Sequence, residues 1–310
     1  MLAPMAELGH RALRELIEGF GGCDEYFSEM ISAGAFLDGG PFEKWYAETG
    51  PRPEKLVFQV VGSDEETIAR AAGELGRLDC AGIDINMGCC APLIRKAGAG
   101  IAWMASADRA GRLVGAARRA TGRRLSVKLR IGFDEDFERL AGFCLRLQEE
   151  GAELITLHPR LADEKLKRRA RWEYVGALRA ALRIPVAGNG DVQSAEDLAA
   201  RAAGPCDAVM SGRGAVRRPW IFAQARAKGG AAYPEPSAAE IEETGLRFLE
   251  LLSRWQPREF HASRARRFFG FFCDNLKWGT HVKNLLARQE SLAGMERAWR
   301  AHFAGVEGEA

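Results

Sequence analysis

Two adjacent thiols, Cys89 and Cys90, close an apolar run and open a loop of small residues in the stretch 82–100, GIDINMGCCAPLIRKAGAG. Thiols ordinarily have a pKa of about 8.5, so at neutral pH they carry a proton that a general acid can deliver. Most cysteines only fill space. These two instead follow glycine at the end of a run that stops on Asn86, not on an apolar face. An α/β scaffold presents reactive groups in this way, at the end of a strand where a loop begins.

Polar or glycine residues end nearly every other strand-like run as well. In chain order they are Pro4-Met5-Ala6, Glu29, Gln59, Lys128 with Arg130, His158 with Arg160, Gly188-Asn189-Gly190-Asp191 and Gly212-Arg213-Gly214. A purely structural scaffold has no need of such ends. GNGD and SGRG are the most specific, because glycine lets backbone N–H groups approach a phosphate and Arg213 adds a charged fork. A positive Lys128 inside an apolar strand suits an anionic cofactor, and for a reduced flavin it would favour the charge at N1 and the C2 oxygen. His158 reads either as a buried core histidine or as a site residue; its place at a strand end, with Gln59 and Lys128 at others, favours the site.

Positioning these ends requires a repeating scaffold. Strand-like runs fall at 2–6, 25–31, 55–62, 82–88, 125–132, 154–160, 184–191 and 208–214, separated by amphipathic helical patterns such as DEETIARAAGELGRL and SAEDLAARAA. Asp64 and Ser194 are suitable N-caps. Eight strands alternating with helices predict a (β/α)8 TIM barrel over residues 1–230. The stretch 33–52, punctuated by Gly and Pro, predicts a long loop with a short helix at the barrel mouth. KGGAAYPEP, 228–236, has linker composition, and an all-helical domain is expected over 237–310.

The chain has 310 residues, enough for one barrel and a small appendage. Its 44 basic and 42 acidic residues nearly cancel, so any nucleic-acid surface must be a local patch. One candidate is KLKRRAR, in which Lys165, Lys167, Arg168, Arg169 and Arg171 follow the sixth strand. The other is 254–288, with eight Lys/Arg against two acids, interleaved with Phe268, Phe269, Phe271, Phe272 and Trp278. The aromatics read mainly as helical core and the cations as phosphate contacts. Seven scattered cysteines without C-x-x-C spacing argue against a disulfide framework and a zinc site. With no leader pattern and no long apolar run, the expectation is a cytoplasmic protein without a membrane segment.

Together, LAPMA at 2–6, FQVVG at 58–62, IDINMGC at 83–89, VKLRIG at 127–132, ITLHPR at 155–160, IPVAGNGD at 184–191 and MSGRGAVRRPWIF at 210–222 resemble the tRNA-dihydrouridine synthases. The match runs in order through the whole barrel, while the helical tail fits in kind. The resemblance implies an FMN enzyme that uses NADPH to reduce the C5–C6 bond of a uridine in tRNA. It implies that Pro4, Met5 and Ala6 line the flavin, and that Gln59, Lys128 and His158 contact its ring or ribityl chain. Asn189, Gly190, Asp191, Gly212 and Arg213 would hold its phosphate end. Asn86 would meet the uracil and Cys89 would be the acid, with Arg130, Arg160 and the KLKRRAR cations on the substrate side. Two departures stand out. Cys90 occupies the place where the family usually has proline, although the NMG before Cys89 keeps that residue in register. AELGHR follows Pro4-Met5 where the family often has glycine and a Thr-Asp or Ser-Asp pair. Competing expectations are a flavin barrel acting on a free dihydropyrimidine or dihydroorotate, a synthase acting on ribosomal RNA, and a non-catalytic RNA-binding barrel.

Overall fold

The apolar runs pair as parallel strands that are buried on both faces, as parallel sheets require. In the computed structural model, which describes residues 1–164, 167–227 and 233–307, seven strands form one sheet in chain order. They are β1 (Tyr26–Ser32), β2 (Leu56–Val61), β3 (Gly82–Met87), β4 (Arg124–Gly132), β5 (Leu154–Leu161), β6 (Val186–Asn189) and β7 (Ala208–Met210). All neighbours are parallel. Crossover helices include Glu65–Gly76, Ala107–Ala120, Phe137–Glu149, Glu173–Ala181 and Ala195–Ala202. Asp64 caps the first through Thr67 N–H, and Ser194 forms a reciprocal cap with Asp197.

The expected first strand, 2–6, contracts to a single residue. Leu2 bridges Tyr26 of β1 on one side and Ser211, just past β7, on the other. Its N–H donates to the Glu25 carbonyl at 2.9 Å, and the next N–H, of Ala3, donates to Ser211 at 2.8 Å. Pro4 has no N–H, so the ladder stops there. The ring closes through these two bridges at Leu2, giving a (β/α)8 barrel of the TIM type with one strand reduced to its minimum.

Strand register decides which polar groups meet inside the barrel. Side chains alternate faces. In β3, Ile83, Ile85 and Met87 share one face, while Asp84 and Asn86 share the other. The pairing sets Gln59 beside Asp84 and Asp84 beside Ser126. One step further along, Asn86 lies beside Lys128 and Lys128 beside Thr156. At the rim, Arg130 pairs with His158. The barrel interior thus carries a polar layer beneath a charged rim.

Four longer helices follow the barrel: Ala238–Trp255, His261–Phe272, Gly279–Ala287 and Leu292–Glu307. Their aromatic residues stack inward, with Phe248 on Phe268 at 3.7 Å and Phe268 on Phe272 at 4.9 Å between ring centroids. The stack continues into the barrel part through Phe272–Trp220 and Trp220–Phe20. Phe268, Phe269 and Phe272 are buried, Phe271 is half-buried and Trp278 is exposed. A buried ion pair, Arg264 Nη1 to Glu29 Oε1 at 2.7 Å, joins the third-last helix to the middle of β1. Among the described residues, no helix is long and apolar enough to cross a membrane.

Candidate active site

A cavity of about 310 Å³ opens at the C-terminal ends of the strands. This lies at the lower end of the range for small-molecule and cofactor sites. Pro4, Met5 and Ala6 form one wall, Asn86, Cys89 and Cys90 another, and Lys128, Arg130, His158 and Arg160 a third. Asn189, Gly190, Asp191, Gly212 and Arg213 complete it. The expected site residues therefore converge from separate strand ends, with a few exceptions.

The thiol loop is fixed from both sides. The Asn86 Oδ1 accepts from the N–H groups of Gly88 at 3.1 Å and Cys89 at 2.9 Å. On the far side, the Cys89 carbonyl accepts from Ile101 N–H at 3.0 Å. Gly100 makes this approach possible: its φ is +59°, and a Cβ there would lie 2.6 Å from the Cys89 oxygen. The two sulfurs differ. Cys90 Sγ donates to the Gly88 carbonyl at 3.4 Å, and burial pushes its pKa up. No such side-chain bond holds Cys89 Sγ among the described residues.

The Lys128 ammonium group sits in the cavity wall with no hydrogen bond or ion pair among the described residues. Burial lowers its pKa to about 8, with the Asp84 charge acting in the opposite direction. Below that pH it presents a cation to the cavity, and it loses the charge as pH rises through the same value. Titration of labelled lysine side chains by NMR in the ligand-free protein is expected to place one resonance near pH 8, against about 10.4 for exposed lysines. A bound anion is expected to raise it. A midpoint with the exposed set would contradict this environment.

His158 is neutral. Burial lowers its pKa well below the ordinary value, and the cations Lys128, Arg130, Arg160 and Arg213 add to the effect. Its Nε2 lies 2.9 Å from Arg160 Nη1. A guanidinium only donates, so Nε2 accepts and the ring proton resides on Nδ1. Arg160 is itself buried and grips both Asp191 oxygens, at 2.6 and 2.7 Å. Burial opposes ionisation of Asp191, but these bonds and Ala170 N–H hold its pKa below the ordinary carboxylate range. Asp191 has φ +55°, a conformation that this clamp maintains.

The loops after β6 and β7 meet at Gly214, where a Cβ would lie 2.3 Å from the Val192 carbonyl. The helix Arg213–Arg217 starts at this contact. Its first N–H groups have no partner within the helix. With Gly190 and Gly212 beside them, these groups and the Arg213 guanidinium fit the phosphate end of an anionic ligand. The unpaired cation at Lys128 fits the other end.

Three of the expected residues spend their polar groups on protein partners. Gln59 is fully buried beneath the cavity, where its Nε2 donates to Asp84 and its Oε1 accepts from Asn86. Arg160 spends its guanidinium on Asp191 and His158. Arg171 is tied to Glu164 and Glu135, both at 2.6 Å, and its hydrogen bond holds the Glu164 pKa at about 2. Lys167, Arg168 and Arg169 are exposed. Lys165 lies outside the described residues. Sequence reasoning missed Asp84 and Ser126, although the alternation D-I-N in β3 and S-V-K in β4 places both on the interior face. It also missed Glu7, whose N–H donates to Glu29 at 3.0 Å just beyond the Pro4–Ala6 wall.

Residues 1–304 match the family model described as dihydrouridine synthase. The chain belongs to the dihydrouridine synthase family. It is 32% identical over 252 residues to the tRNA-dihydrouridine(16) synthase of Ralstonia nicotianae, covering 77% of this chain and 75% of that one. It is 30% identical over 307 residues to the tRNA-dihydrouridine synthase B of Xanthomonas campestris pv. campestris, covering 98% and 92%. A probable tRNA-dihydrouridine synthase of Rhodobacter capsulatus is 32% identical over 281 residues, covering 88% and 86%. Membership makes this chain a flavin oxidoreductase.

Proposed function

We propose that this chain reduces the C5–C6 bond of a uridine in tRNA, with FMN as its flavin and NADPH as the diffusible reductant. The observation that carries the reading is the convergence of Asn86, Cys89, Lys128 and His158 on one cavity whose far end is built from Gly190, Gly212 and Arg213. A base in a stacked helix cannot reach such a depth, so the uridine must be turned out of its stack. When bound, FMN would supply the hydride that reduces the uracil at C6.

The protein's own groups handle the charge and the proton. Arg213 and the N–H groups beside it hold the phosphate, and Pro4, Met5 and Ala6 form the wall along the ring. Lys128 offers a positive charge to the electron-rich flavin. His158, fixed as the Nδ1–H tautomer, contributes a neutral donor. Asn86 orients the uracil, and Cys89 donates the proton to C5. Because Asn86 Oδ1 is engaged by two loop N–H groups, what it offers the base is an N–H, which suits a carbonyl oxygen.

The exposed cations Lys167, Arg168 and Arg169, with Arg130 at the rim, form the RNA-facing patch in this reading. Binding of tRNA is expected to weaken steeply with salt, and replacing Lys167, Arg168 and Arg169 by alanine should reduce the log–log salt slope by about two to three. A slope unchanged by the triple substitution would remove these residues from the interface. The function itself is tested by mapping dihydrouridine in tRNA from cells with and without the gene. Loss of no dihydrouridine site, together with activity on a free pyrimidine, would refute it.

A further inference from the structure

We infer that Phe133 and Arg95 form a second subsite beside the cavity, which stacks a nucleobase next to the uridine that is reduced. This rests on the proposed function, because it gives the RNA a further point of recognition. Phe133 directly follows β4 and is 42% exposed. A single exposed ring is ordinary on a protein surface. This one is displayed by its backbone. Gly132 has φ +129°, in the region that favours glycine, and a Cβ there would meet only Met104 Cε, at 3.8 Å. The glycine therefore serves the turn and not close packing. Its carbonyl accepts from Ala162 N–H at 2.8 Å, so the base of the loop is pinned to the residue after β5.

The ring is connected to the cavity on both sides. Arg95, in the short helix Pro92–Lys96 of the thiol loop, sets its guanidinium over Phe133, 5.6 Å from the ring centroid. Cys90 lines the active-site cavity and also a surface hollow of about 570 Å³, which it shares with Pro92, Arg95, Lys96, Ala162 and Asp163. Glu135, two residues after Phe133, pairs with Arg171 at 2.6 Å. The loop of Phe133 thus touches the thiol loop on one side and, on the other, the segment that carries Lys167, Arg168 and Arg169.

The surrounding charge suits a nucleic acid. The acids of the loop are already matched: Asp134 and Asp136 lie against Arg139, at 2.6 and 3.6 Å, and Glu135 lies against Arg171. Arg95 and Lys96 are exposed and have no ion pair among the described residues. They face Asp163 alone as an acid in the lining of the hollow. Turning a uridine out of its stack leaves the neighbouring base with an open face. Proteins that read single-stranded RNA cover such faces with aromatic rings and guanidinium planes, since every base has a π-face. Phe133 supplies the stacking surface, and the two free cations supply the phosphate contact. A protein partner would call for a broad apolar face. Among the described residues, Phe133 and Leu93 are the large apolar side chains exposed on these two loops.

The test is binding of tRNA from cells lacking the gene to the FMN-loaded, oxidised full-length protein, without NADPH, so that no turnover occurs. Phe133→Leu keeps apolar bulk and removes the π-face. Its Kd is expected to rise about 5- to 50-fold, with an unchanged salt slope. Phe133→Trp should bind within about threefold of the wild type, or tighter. Arg95→Gln should raise the Kd and lower the log–log salt slope by about one. In all three, FMN affinity and flavin reduction by NADPH should stay within about twofold, and saturating tRNA should reoxidise the flavin at the wild-type rate, because the lost contact is made equally before and during the reaction. Leu145→Ala truncates an exposed apolar residue on the helix Phe137–Glu149 and should match the wild type throughout.

A Phe133→Leu protein that binds tRNA as tightly as the wild type would overturn the inference. So would a Phe133→Trp Kd as weak as that of Phe133→Leu, which would reduce the ring to packing. Loss of self-association in Phe133→Leu by sedimentation, with tRNA affinity unchanged, would give the surface to a second copy of this chain instead. If the wild type itself binds no tRNA, the proposed function falls together with the subsite. Wild-type binding to which the variants are indifferent removes the subsite alone.

Discussion

Cys89→Ala is expected to cut dihydrouridine formation by about 10²- to 10⁴-fold, the usual worth of a positioned general acid. Flavin binding and flavin reduction by NADPH should be nearly unaffected. The substitution removes one sulfur atom and leaves the backbone contacts that hold the loop, from Asn86 Oδ1 to Cys89 N–H and from Ile101 N–H to the Cys89 carbonyl. A loss confined to the step with tRNA would therefore report on the proton and not on the fold. Stopped-flow measurement of the two half-reactions separates them. Cys90→Ala is the control. Its thiol already donates to Gly88 and is pushed up by burial, so its removal should cost little. Full activity in Cys89→Ala with none in Cys90→Ala would assign the acid to the other sulfur.

Arg264→Met should destabilise the protein by about 3–5 kcal/mol, the cost of leaving a buried charge without its partner. Arg264 and Glu29 are only 3% and 4% exposed. Arg264 also donates to Gln256 Oε1 and lies over the Phe260 ring at 4.7 Å. Urea denaturation measures the loss. Its pH dependence carries a further signature. Burial raises the Glu29 pKa, and Arg264 is the chief influence opposing that rise. Without Arg264 the folded state holds the Glu29 proton more tightly than the unfolded chain does. Stability then falls as pH rises from the unfolded pKa of about 4.3 through the raised folded value. The defect should thus be smaller in mild acid than at neutral pH, and adding Glu29→Gln should recover much of it. Equal defects at both pH values would show that the pair's charge is not what matters.

Much of the barrel was legible because local signals agree with the final fold. The apolar runs 82–88 and 125–132 became β3 and β4 with ends displaced by a residue or none. The helix Ala238–Trp255 follows an apolar period with Ser237 as its cap. The run 2–6 read as a strand because LAPMA is apolar, yet Pro4 and the demands of closure left only Leu2 in the ladder. The candidate site was legible for the same reason that strand ends are: residues such as Cys89, Lys128, His158 and Arg213 gather wherever a barrel gathers its C-terminal edges. What a side chain does once there was harder to read. The Gln59 amide is engaged by Asp84 and Asn86, a pairing that follows from strand register and not from any local pattern. Arg171 looks like an RNA contact in KLKRRAR until Glu164 and Glu135 are brought against it. Arg264 and Glu29 are 235 residues apart, and no local pattern joins them.

The aromatic path from Phe268 through Phe272 and Trp220 to Phe20 also bears on how the helical tail can be inherited or exchanged. A tail that met the barrel only through surface polar groups would be a portable module, free to be swapped between relatives. This one shares its interior with the barrel, so Trp220 and Phe20 must fit whatever rings the tail brings. A chimera joined at the linker would graft two half-cores with mismatched faces. Any exchange of tails between relatives would have to carry the facing barrel residues along as part of the same unit.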